Sequence, residues 1–381
     1  MHISYGKQSI DSSDIKSVVK ALKSDFLTQG PLVKEFENKI KNLIKSNFAT
    51  VVSNGSVALF LAGHILNWKK GDLVAVPPIT FVASVNSIEH HGAKPLFVDI
   101  SLKDYCMDPD KLEIELKKDK SKKIKAAIIT DFGGQPAQWE KFYRLKKKYK
   151  IHLINDNCHS LGSSIKRDCG YAVKYADIVT LSFHPVKAIT TGEGGAVLTN
   201  NKIYDQKFKL LRSHCIQRKD NNFWKYKVNN LGYNFRLPDI NCALGISQIK
   251  RIEKFVKKRK LIANFYNKIF VDKAKFKTPS VIQNTQNSYH LYPLLVNFDK
   301  LKTTKDKIIK QFLKENIKLQ VHYIPVNSQP YFLNRYGLIY KKFKNSFEFY
   351  KREISLPIHY DLNKNNLNYI KKICKKIFKI N

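Results

Sequence analysis

Short apolar runs alternate with amphipathic segments over most of the chain. The apolar runs lie at residues 49–52, 73–76, 96–98, 126–129, 153–154 and 178–180, and helical patterns separate them. Apolar runs divided by helices predict an α/β fold, in which helices pack on a mostly parallel sheet. Ligands of such sheets bind beyond the carboxyl ends of the strands.

Two amphipathic helices are predicted before the first of these strands. The first has apolar positions from Ile15 to Leu22 and a start at Ser12 or Ser13. A turn at residues 27–31 follows, and a second amphipathic helix then runs from about residue 33 to residue 44.

The C-terminal third of the chain has a different pattern. A helical pattern covers residues 238–270, after which the composition becomes more uniformly basic. Residues 289–296 predict a strand, and residues 304–315 predict a helix with Thr304 as its N-cap. We therefore expect an N-terminal segment and a large domain at residues 1–250, and a smaller α+β domain at residues 251–381.

Composition narrows the class of protein. The 381 residues are 43% hydrophobic, enough for substantial cores, and no stretch approaches the roughly 20 apolar residues that cross a bilayer. The N-terminus lacks the apolar core of a secretory signal. Six scattered cysteines form no C-x-x-C pair, which argues against a zinc ribbon or a disulfide framework. We expect a soluble cytoplasmic protein without a metal site or a membrane partner.

The net charge of +37 is of the kind found in nucleic-acid-binding proteins. The excess is nearly all lysine, however, and it is spread from end to end without a stacking-aromatic motif. We therefore expect no nucleic-acid partner. A basic, non-catalytic nucleic-acid-binding protein remains the alternative from a different class.

One lysine has chemically informative neighbours. Lys187 ends the run SFHPVK, which begins at Ser182, and the Gly-rich run GEGG follows at residues 192–195. Asp156 lies about thirty positions earlier, at the end of a predicted strand. An enzyme that holds pyridoxal phosphate needs a Schiff-base lysine, a carboxylate for the ring nitrogen and a hydroxyl for the phosphate. Lys187, Asp156 and Ser182 supply these three groups.

Two further segments are weaker candidates. Residues 53–56 (SNGS) lie between a strand and a helix, where free amides, Gly55 and Ser56 can bind an anion. An ordinary helix N-cap is equally consistent with this segment. Phe81 follows a predicted strand and can stack on a planar ring, although a core phenylalanine is the simpler interpretation.

Four segments together resemble the sugar aminotransferases of the DegT/StrS family. They are residues 155–159 (NDNCH), 182–187 (SFHPVK), 192–195 (GEGG) and 231–236 (LGYNFR). The resemblance extends over nearly the whole chain, from the turn at residues 27–31 to Leu356-Pro357. It implies a fold-type I enzyme that binds pyridoxal 5'-phosphate (PLP) and forms homodimers with active sites at the interface.

The resemblance also implies individual roles. Catalysis would rest on Lys187 as the Schiff-base lysine, on Asp156 at the ring nitrogen and on His159 near the ring hydroxyl. Phe81 would stack on the ring. The phosphate would be held by Gly55, Ser56 and Ser182, and Asn234 would reach the phosphate of the neighbouring subunit. The candidates for the sugar-nucleotide side are Tyr5, Thr28, Gln29, His322 and Tyr323, and a structural role remains open for each.

Residues 182–187, 189–195 and 320–323 are most similar to one branch of the family, the transaminases of pseudaminic acid synthesis. This similarity implies transfer of an amino group from L-glutamate to C4 of a UDP-linked 4-keto-6-deoxy-N-acetylhexosamine. The product would be UDP-4-amino-4,6-dideoxy-N-acetyl-β-L-altrosamine. Another nucleotide-sugar aminotransferase, making a UDP-bacillosamine precursor or acting on a dTDP-4-keto-sugar, is the alternative within the same chemistry.

Two segments depart from the family pattern. The phosphate segment has Gly55-Ser56 where relatives often carry Thr with small neighbours, and Asn157 and Ser160 replace small apolar residues near Asp156. Both changes leave the implied roles intact. Some relatives carry histidine in place of the lysine and are dehydratases, and the presence of Lys187 disfavours that activity.

Overall fold

A seven-stranded sheet forms the centre of the larger part of the molecule. The computed structural model describes residues 2–218, 224–337 and 342–380. The strands of this sheet are β1 (Phe48–Val52), β2 (Leu73–Val76), β3 (Lys94–Phe97), β4 (Ile124–Thr130), β5 (His152–Asp156), β7 (Ile178–Ser182) and β8 (Gly195–Thr199). Each of the six predicted apolar runs falls on one of them, and β8 is the strand that the sequence pattern missed.

The strand order is β1-β8-β7-β5-β4-β2-β3. The pairs β2–β3, β2–β4, β4–β5 and β5–β7 are parallel, and β8 is antiparallel to both β1 and β7. Six strands therefore run in one direction and β8 alone runs in the other, so the predicted mostly parallel sheet is confirmed. Asp156 and Ser182 are the last residues of two neighbouring strands, so both lie at the carboxyl edge.

Helices surround this sheet. They are α1 (Ser12–Leu22), α2 (Pro31–Ile44), α3 (Gly55–Ile65), α4 (Val82–Glu89), α5 (Pro109–Lys118), α6 (Trp139–Tyr149), α7 (Tyr171–Tyr175), α8 (Lys202–Arg212), α9 (Asp239–Ile249) and α10 (Ile252–Asn267). Both predicted N-terminal helices are confirmed. The cap of the first is Asp11, whose carboxylate accepts hydrogen bonds from the amides of Ser13 and Asp14.

The prediction of one continuous helix over residues 238–270 is wrong, because the chain forms two helices there, α9 and α10. The amide of Arg251 donates to the carbonyl of Gln248, which closes a tight turn between α9 and α10. The Arg251 guanidinium forms ion pairs with Asp11 and with the buried Asp14 at the start of α1. A continuous helical pattern did not reveal this break, because tertiary ion pairs stabilise it.

The C-terminal part contains a second, antiparallel sheet. Its strands are β11 (Phe276–Lys277), β13 (Tyr292–Val296) and β14 (Glu353–Leu356), and its helices are α11 (Lys305–Lys314), α12 (Pro330–Tyr336), α13 (Lys344–Arg352) and α14 (Lys364–Phe378). Two small ribbons pair β6 (Ser164–Ile165) with β12 (Thr285–Gln286), and β9 (Ile216–Arg218) with β10 (Tyr226–Val228). The expected helix at residues 304–315 is confirmed, with the Thr304 hydroxyl accepting from the Lys307 amide.

Helix α10 connects the two sheets. Its first turns place Phe255 and Val256 in the core of the seven-stranded sheet. Further along, Ile262 and Tyr266 lie in the separate core that contains the antiparallel sheet. The domain boundary near residue 251 stays a prediction. No helix within the described ranges is both long and apolar enough to cross a membrane.

Candidate active site

Lys187 lies on the connection between the antiparallel strands β7 and β8. The base of this connection is closed by the amide of Phe183, which donates to the carbonyl of Gly194, and by the amide of Thr191, which donates to Phe183. At its far end the Lys187 amide donates to the carbonyl of His184, so a tight turn presents the lysine. The fully buried Phe183 ring packs 5.2 Å from that of Phe36 and anchors the connection in the core.

The Lys187 side chain enters a cavity of about 670 Å³ at the carboxyl edge of the sheet. Ten of the predicted site residues line this cavity: Tyr5, Gly55, Ser56, Phe81, Asp156, His159, Ser182, Lys187, His322 and Tyr323. Removal from bulk water lowers the pKa of Lys187, and the negative charge of Asp156 opposes that shift. The amine is therefore neutral more readily than an exposed lysine, as a proton-transfer group requires.

Asp156 is a buried carboxylate at the end of β5. Its Oδ2 accepts a hydrogen bond of 2.8 Å from the Ser84 hydroxyl, and its Oδ1 accepts one of 3.3 Å from the Cys158 amide. Among the described residues it forms no ion pair. Because a buried carboxylate is costly without a cationic partner, the remaining lone pairs suit a protonated ring nitrogen.

His159 is buried beside Asp156 and has a defined tautomer. Its Nδ1 accepts a hydrogen bond of 3.3 Å from the Gly133 amide, so a neutral ring carries its proton on Nε2. That nitrogen lies 3.2 Å from the Tyr323 hydroxyl. Burial lowers the pKa of His159 well below its usual value. The imidazole therefore stays neutral and can donate from Nε2.

The first turn of α3 also lines the cavity. The side chain of Asn54 caps this helix by accepting from the Val57 amide at 2.9 Å, so neither Ser53 nor Ser56 serves as the cap. The amides of Gly55 and Ser56 precede the first intrahelical bond and are free for an anion. An ordinary N-cap accounts for Asn54, while the free amides and the Ser56 hydroxyl keep the anion interpretation open.

Two glycines allow the close packing of the chain around the α3 turn. A Cβ on Gly55 would come within 2.8 Å of the Ser182 Cβ, so the absence of a side chain lets these two residues meet. A Cβ on Gly195 would come within 2.5 Å of the Asn54 backbone. The close approach of β8 to the α3 turn therefore depends on Gly195, the last glycine of the run at residues 192–195.

Phe81 is 53% exposed and lines the cavity 6.0 Å from the Tyr323 ring, measured between centroids. The interpretation of Phe81 as a core residue is therefore wrong. An exposed aromatic face at the mouth of the cavity leaves the stacking prediction in place.

Three predicted residues lie outside the cavity. Thr28 and Gln29 are exposed in the turn before α2, and Asn234 is exposed after β10, in an isolated bridge with Ser213. A single chain does not bring them to Lys187. Their roles stay predictions that require a second subunit.

Among the side chains outside the predicted set, Ser84 and His290 contact predicted groups. Ser84 hydrogen-bonds Asp156, and the His290 ring lies 4.4 Å from that of His159. A histidine within the apolar run at residues 289–296 was the available signal for His290. No pattern pointed to Ser84. The structure contains no cluster of metal-ligating side chains within its described residues.

Comparison with known proteins agrees with this geometry. A model of the DegT/DnrJ/EryC1/StrS aminotransferase family matches residues 8–377. The chain is 40% identical over 370 residues to the UDP-4-amino-4,6-dideoxy-N-acetyl-β-L-altrosamine transaminase of Campylobacter jejuni subsp. jejuni serotype O:23/36 (strain 81-176), covering 97% of this chain and 96% of that protein.

Solved structures give the same result. Helicobacter pylori PseC, an aminotransferase involved in the biosynthesis of pseudoaminic acid, superimposes with a TM-score of 0.91 and 32% identity over 100% of both chains. A Streptococcus pneumoniae protein described as a sugar aminotransferase, in its PLP form, gives a TM-score of 0.90 and 26% identity over 100% of this chain and 99% of its own. The chain therefore belongs to the DegT/DnrJ/EryC1/StrS aminotransferase family.

Proposed function

We propose that the chain is a PLP-dependent, cytoplasmic nucleotide-sugar aminotransferase of pseudaminic acid synthesis. It transfers an amino group from L-glutamate to C4 of a UDP-linked 4-keto-6-deoxy-N-acetylhexosamine, giving UDP-4-amino-4,6-dideoxy-N-acetyl-β-L-altrosamine. The observation that carries this function is that Lys187 and Asp156 line one cavity, in a chain 40% identical to a transaminase of that name.

The side chains that line the cavity fit the chemistry of PLP. Its carboxylate forms no ion pair among the described residues, its lysine is readily neutral, and the free amides at the start of α3 line it. Lys187 would hold the aldehyde, Asp156 the ring nitrogen and His159 the ring hydroxyl. Phe81 would cover the ring, and the phosphate would contact Gly55, Ser56 and Ser182.

Each side chain then has a defined task. Bound PLP supplies an electron-poor ring that accepts the electrons of the donor's Cα–H bond. Lys187 Nζ removes the proton from Cα of glutamate and later delivers one to C4 of the sugar, from one face. Asp156, oriented by the Ser84 hydroxyl, keeps the ring nitrogen protonated. His159 would donate from Nε2 toward the ring hydroxyl.

The sugar-nucleotide would occupy the side of the cavity lined by Tyr5, His322 and Tyr323. The Tyr5 and His322 rings lie 5.5 Å apart, and the His322 and Tyr323 rings 4.9 Å apart, measured between centroids. These three neighbouring rings form one continuous part of the cavity lining. This part combines apolar ring faces with hydroxyl and imidazole groups, which suits a sugar.

A homodimer with shared active sites completes the proposal. Thr28, Gln29 and Asn234 are polar and exposed outside the cavity, where a second chain can use them. Exposed apolar side chains on and after α1 would be covered by such a partner: Ile15 (58% exposed), Val19 (41%), Leu22 (53%), Phe26 (52%) and Leu27 (49%).

The direct test is incubation of purified protein with L-glutamate and a panel of UDP- and dTDP-4-keto sugars. Mass spectrometry and NMR of the products identify the sugar and its configuration. We expect the altrosamine product from the UDP substrate alone. A UDP product of different configuration would instead support the bacillosamine-type alternative. Turnover of a dTDP sugar would support an aminotransferase that acts on dTDP-4-keto sugars.

Lys187→Ala tests the chemistry itself. The variant should lose the visible absorbance of lysine-bound PLP and at least about 1,000-fold in kcat. Lys174→Ala removes an exposed lysine on α7 and serves as the matched control with unchanged activity. Wild-type turnover by Lys187→Ala would reject the mechanism. Salt-sensitive DNA binding without aminotransfer by the wild-type protein would favour the nucleic-acid alternative.

Mixed dimers test the shared site. Lys187→Ala and Asn234→Ala subunits are co-refolded in equal amounts, so that mixed dimers carry one site with both residues intact. If the two residues act across the interface, roughly a quarter of wild-type activity should return. If they act within one chain, mixing should add nothing to the activities of the separate variants.

A further inference from the structure

His322 has a hydrogen-bonded connection that leads away from the cavity. Its Nδ1 lies 2.8 Å from the Ser355 Oγ, and the Ser355 Oγ lies 2.5 Å from Oε1 of Glu353. The other carboxyl oxygen of Glu353 accepts a hydrogen bond of 3.0 Å from the His322 amide. Three residues therefore form a closed ring of hydrogen bonds, with the imidazole facing the cavity.

The position of this ring follows from strand geometry. Glu353 and Ser355 are two residues apart on β14, so their side chains share one face of the strand. The opposite face places Ile354 and Leu356 in the C-terminal core. The backbone of Ser355 exchanges hydrogen bonds of 2.7 and 3.2 Å with Gln320, which holds the segment before His322 against this polar face. Glu353 and Ser355 are 0% and 1% exposed, so bulk water does not compete.

The ring of hydrogen bonds constrains where protons reside. A serine hydroxyl has one hydrogen, so Ser355 can donate either to Glu353 or to His322. When Glu353 is ionised, Ser355 must donate to it and can only accept from Nδ1–H of His322. When Glu353 is protonated at Oε1, it donates to Ser355, and Ser355 donates to Nδ1. The proton of the neutral imidazole then lies on Nε2.

We propose that Glu353 and Ser355 are positioning residues that set whether His322 presents a donor or an acceptor to the substrate. With Glu353 protonated, Nε2–H donates to an acceptor oxygen, such as a carbonyl or phosphate oxygen of the nucleotide sugar. With Glu353 ionised, a bare Nε2 accepts from a hydroxyl or amide N–H. This role rests on the proposed function, because it concerns the substrate of that reaction.

Burial of Glu353 favours the donor form at neutral pH. Burial raises the pKa of Glu353 to about 8, against the opposing effects of the hydrogen bonds from Ser355 and the His322 amide and of the charge of Lys305 on α11. Burial also lowers the pKa of Lys305, and the charges of Glu353 and Asp306 oppose that shift. Tyr105 and Tyr323 are the other titratable groups near Glu353.

His322 itself stays neutral over the relevant range. Burial lowers its pKa to about 3, and the charge of Lys187 acts in the same direction. The other titratable rings near it are those of Tyr5, Tyr323, His159 and His290. A change at Nε2 between about pH 6 and about pH 10 therefore reports a tautomer change rather than protonation of the ring.

Glu353→Gln is the informative variant. The His322 amide requires an acceptor, so the glutamine oxygen must face it and the glutamine NH₂ must face Ser355. This arrangement mimics protonated Glu353 at every pH and should hold His322 in the Nε2–H form. Ser355→Ala removes the connection and should uncouple the tautomer from Glu353.

The measurement is ¹⁵N NMR of selectively labelled histidine, with the His322 signals assigned from a His322→Gln sample. The wild-type ring should change from Nε2–H to Nδ1–H with a midpoint near pH 8, whereas Glu353→Gln should show no change. A pH-independent tautomer in the folded wild-type protein, or an unchanged transition in either variant, would overturn the assignment. Since no substrate is added, this outcome is independent of whether the proposed transamination is correct.

Kinetics supply the second readout. For the wild-type enzyme, KM for the sugar nucleotide should rise roughly 10-fold through the same transition if an acceptor oxygen faces Nε2. The rate of the absorbance change with glutamate alone, which involves no sugar nucleotide, should not change through this pH transition. In Glu353→Gln the rise should be absent, and circular dichroism and thermal unfolding establish that the variant is folded. A fall in wild-type KM with no change in the variant would assign a donor group to the substrate at this position.

Discussion

The Ser84 hydroxyl donates a 2.8 Å hydrogen bond to Oδ2 of Asp156, although 72 positions separate the two residues in the chain. Ser84 lies on α4, and Asp156 ends β5 in the neighbouring sheet. The bond orients the carboxylate on which the ring nitrogen of the cofactor would depend. Helix packing against the sheet therefore determines the direction in which the key carboxylate points.

Ser84→Ala should lower kcat/KM for the amino donor roughly 10-fold, because a hydrogen bond to a buried carboxylate is lost. Stopped-flow absorbance with glutamate alone measures this half of the reaction. Ser87→Ala is the matched control: Ser87 lies on the same helix and bonds the Ser84 carbonyl, not Asp156. Equal effects of the two substitutions would show that Ser84 acts only through helix stability.

Gly55→Ala should weaken PLP binding about 10-fold or more, because the new Cβ would meet Ser182 at 2.8 Å. Alanine has the higher helix propensity, so loss of helix stability would not explain a weaker affinity. Titration of the apo-protein with PLP, followed by absorbance, gives the dissociation constant. Ser56→Ala, which keeps the backbone and removes one hydroxyl, should cost less. Wild-type affinity in Gly55→Ala would place the phosphate elsewhere.

Tyr323→Phe should reduce kcat about 3- to 10-fold, since Nε2–H of His159 loses its acceptor. The matched control is Tyr292→Phe, which removes a buried hydroxyl bonded to Asn267 in the C-terminal core. Steady-state kinetics and thermal unfolding should separate the two variants. The control should lose stability and keep kcat, and the opposite result would remove Tyr323 from the site.

Asp104→Asn should stabilise the protein at alkaline pH. Burial raises the pKa of Asp104 from 3.8 to about 7, so its contribution to folding is present below about pH 4 and is lost as the pH rises to 7. Asparagine does not ionise and can still accept from the Cys106 amide. Above pH 7 the variant should gain on the order of a few kcal/mol in free energy of unfolding over wild type.

Urea unfolding at about pH 5 and about pH 8.5 checks this difference. Asp110→Asn is the control, because Asp110 is exposed and pairs with Lys141 at the surface. Its effect on the free energy of unfolding should be small at both pH values. A stabilisation of Asp104→Asn that is equal at both pH values would exclude ionisation as its cause.

Much of the fold was predictable because local patterns encode it. The apolar runs identified six strands of the large sheet, and Thr304 caps α11 as its hydroxyl and position indicate. The pattern failed where long-range contacts decide the structure. Arg251 interrupts the helical run at residues 238–270 through Asp11 and Asp14, which lie more than 200 positions away in the chain.

The candidate site divides in the same way. Lys187, Asp156 and Ser182 were recognisable because the chemistry requires these residue types in adjacent, characteristic segments. Ser84, Glu353 and Ser355 were not, because serine and glutamate have no distinctive neighbours at these positions. His290 was marked only by its place in an apolar run. The exposure of Phe81 was not predictable, since its sequence context does not distinguish a buried ring from an exposed one.

By itself the sequence determined which chemical groups are available and which strands and helices carry them, because residue type and local periodicity encode both. Tertiary packing alone decided how those groups are oriented. It turned the carboxylate of Asp156 toward Ser84, left Nε2 of His159 to Tyr323 and joined His322 to Glu353 through Ser355. Hydrogen bonds of about 3 Å form only when separate elements dock in one register, and no local pattern specifies that docking.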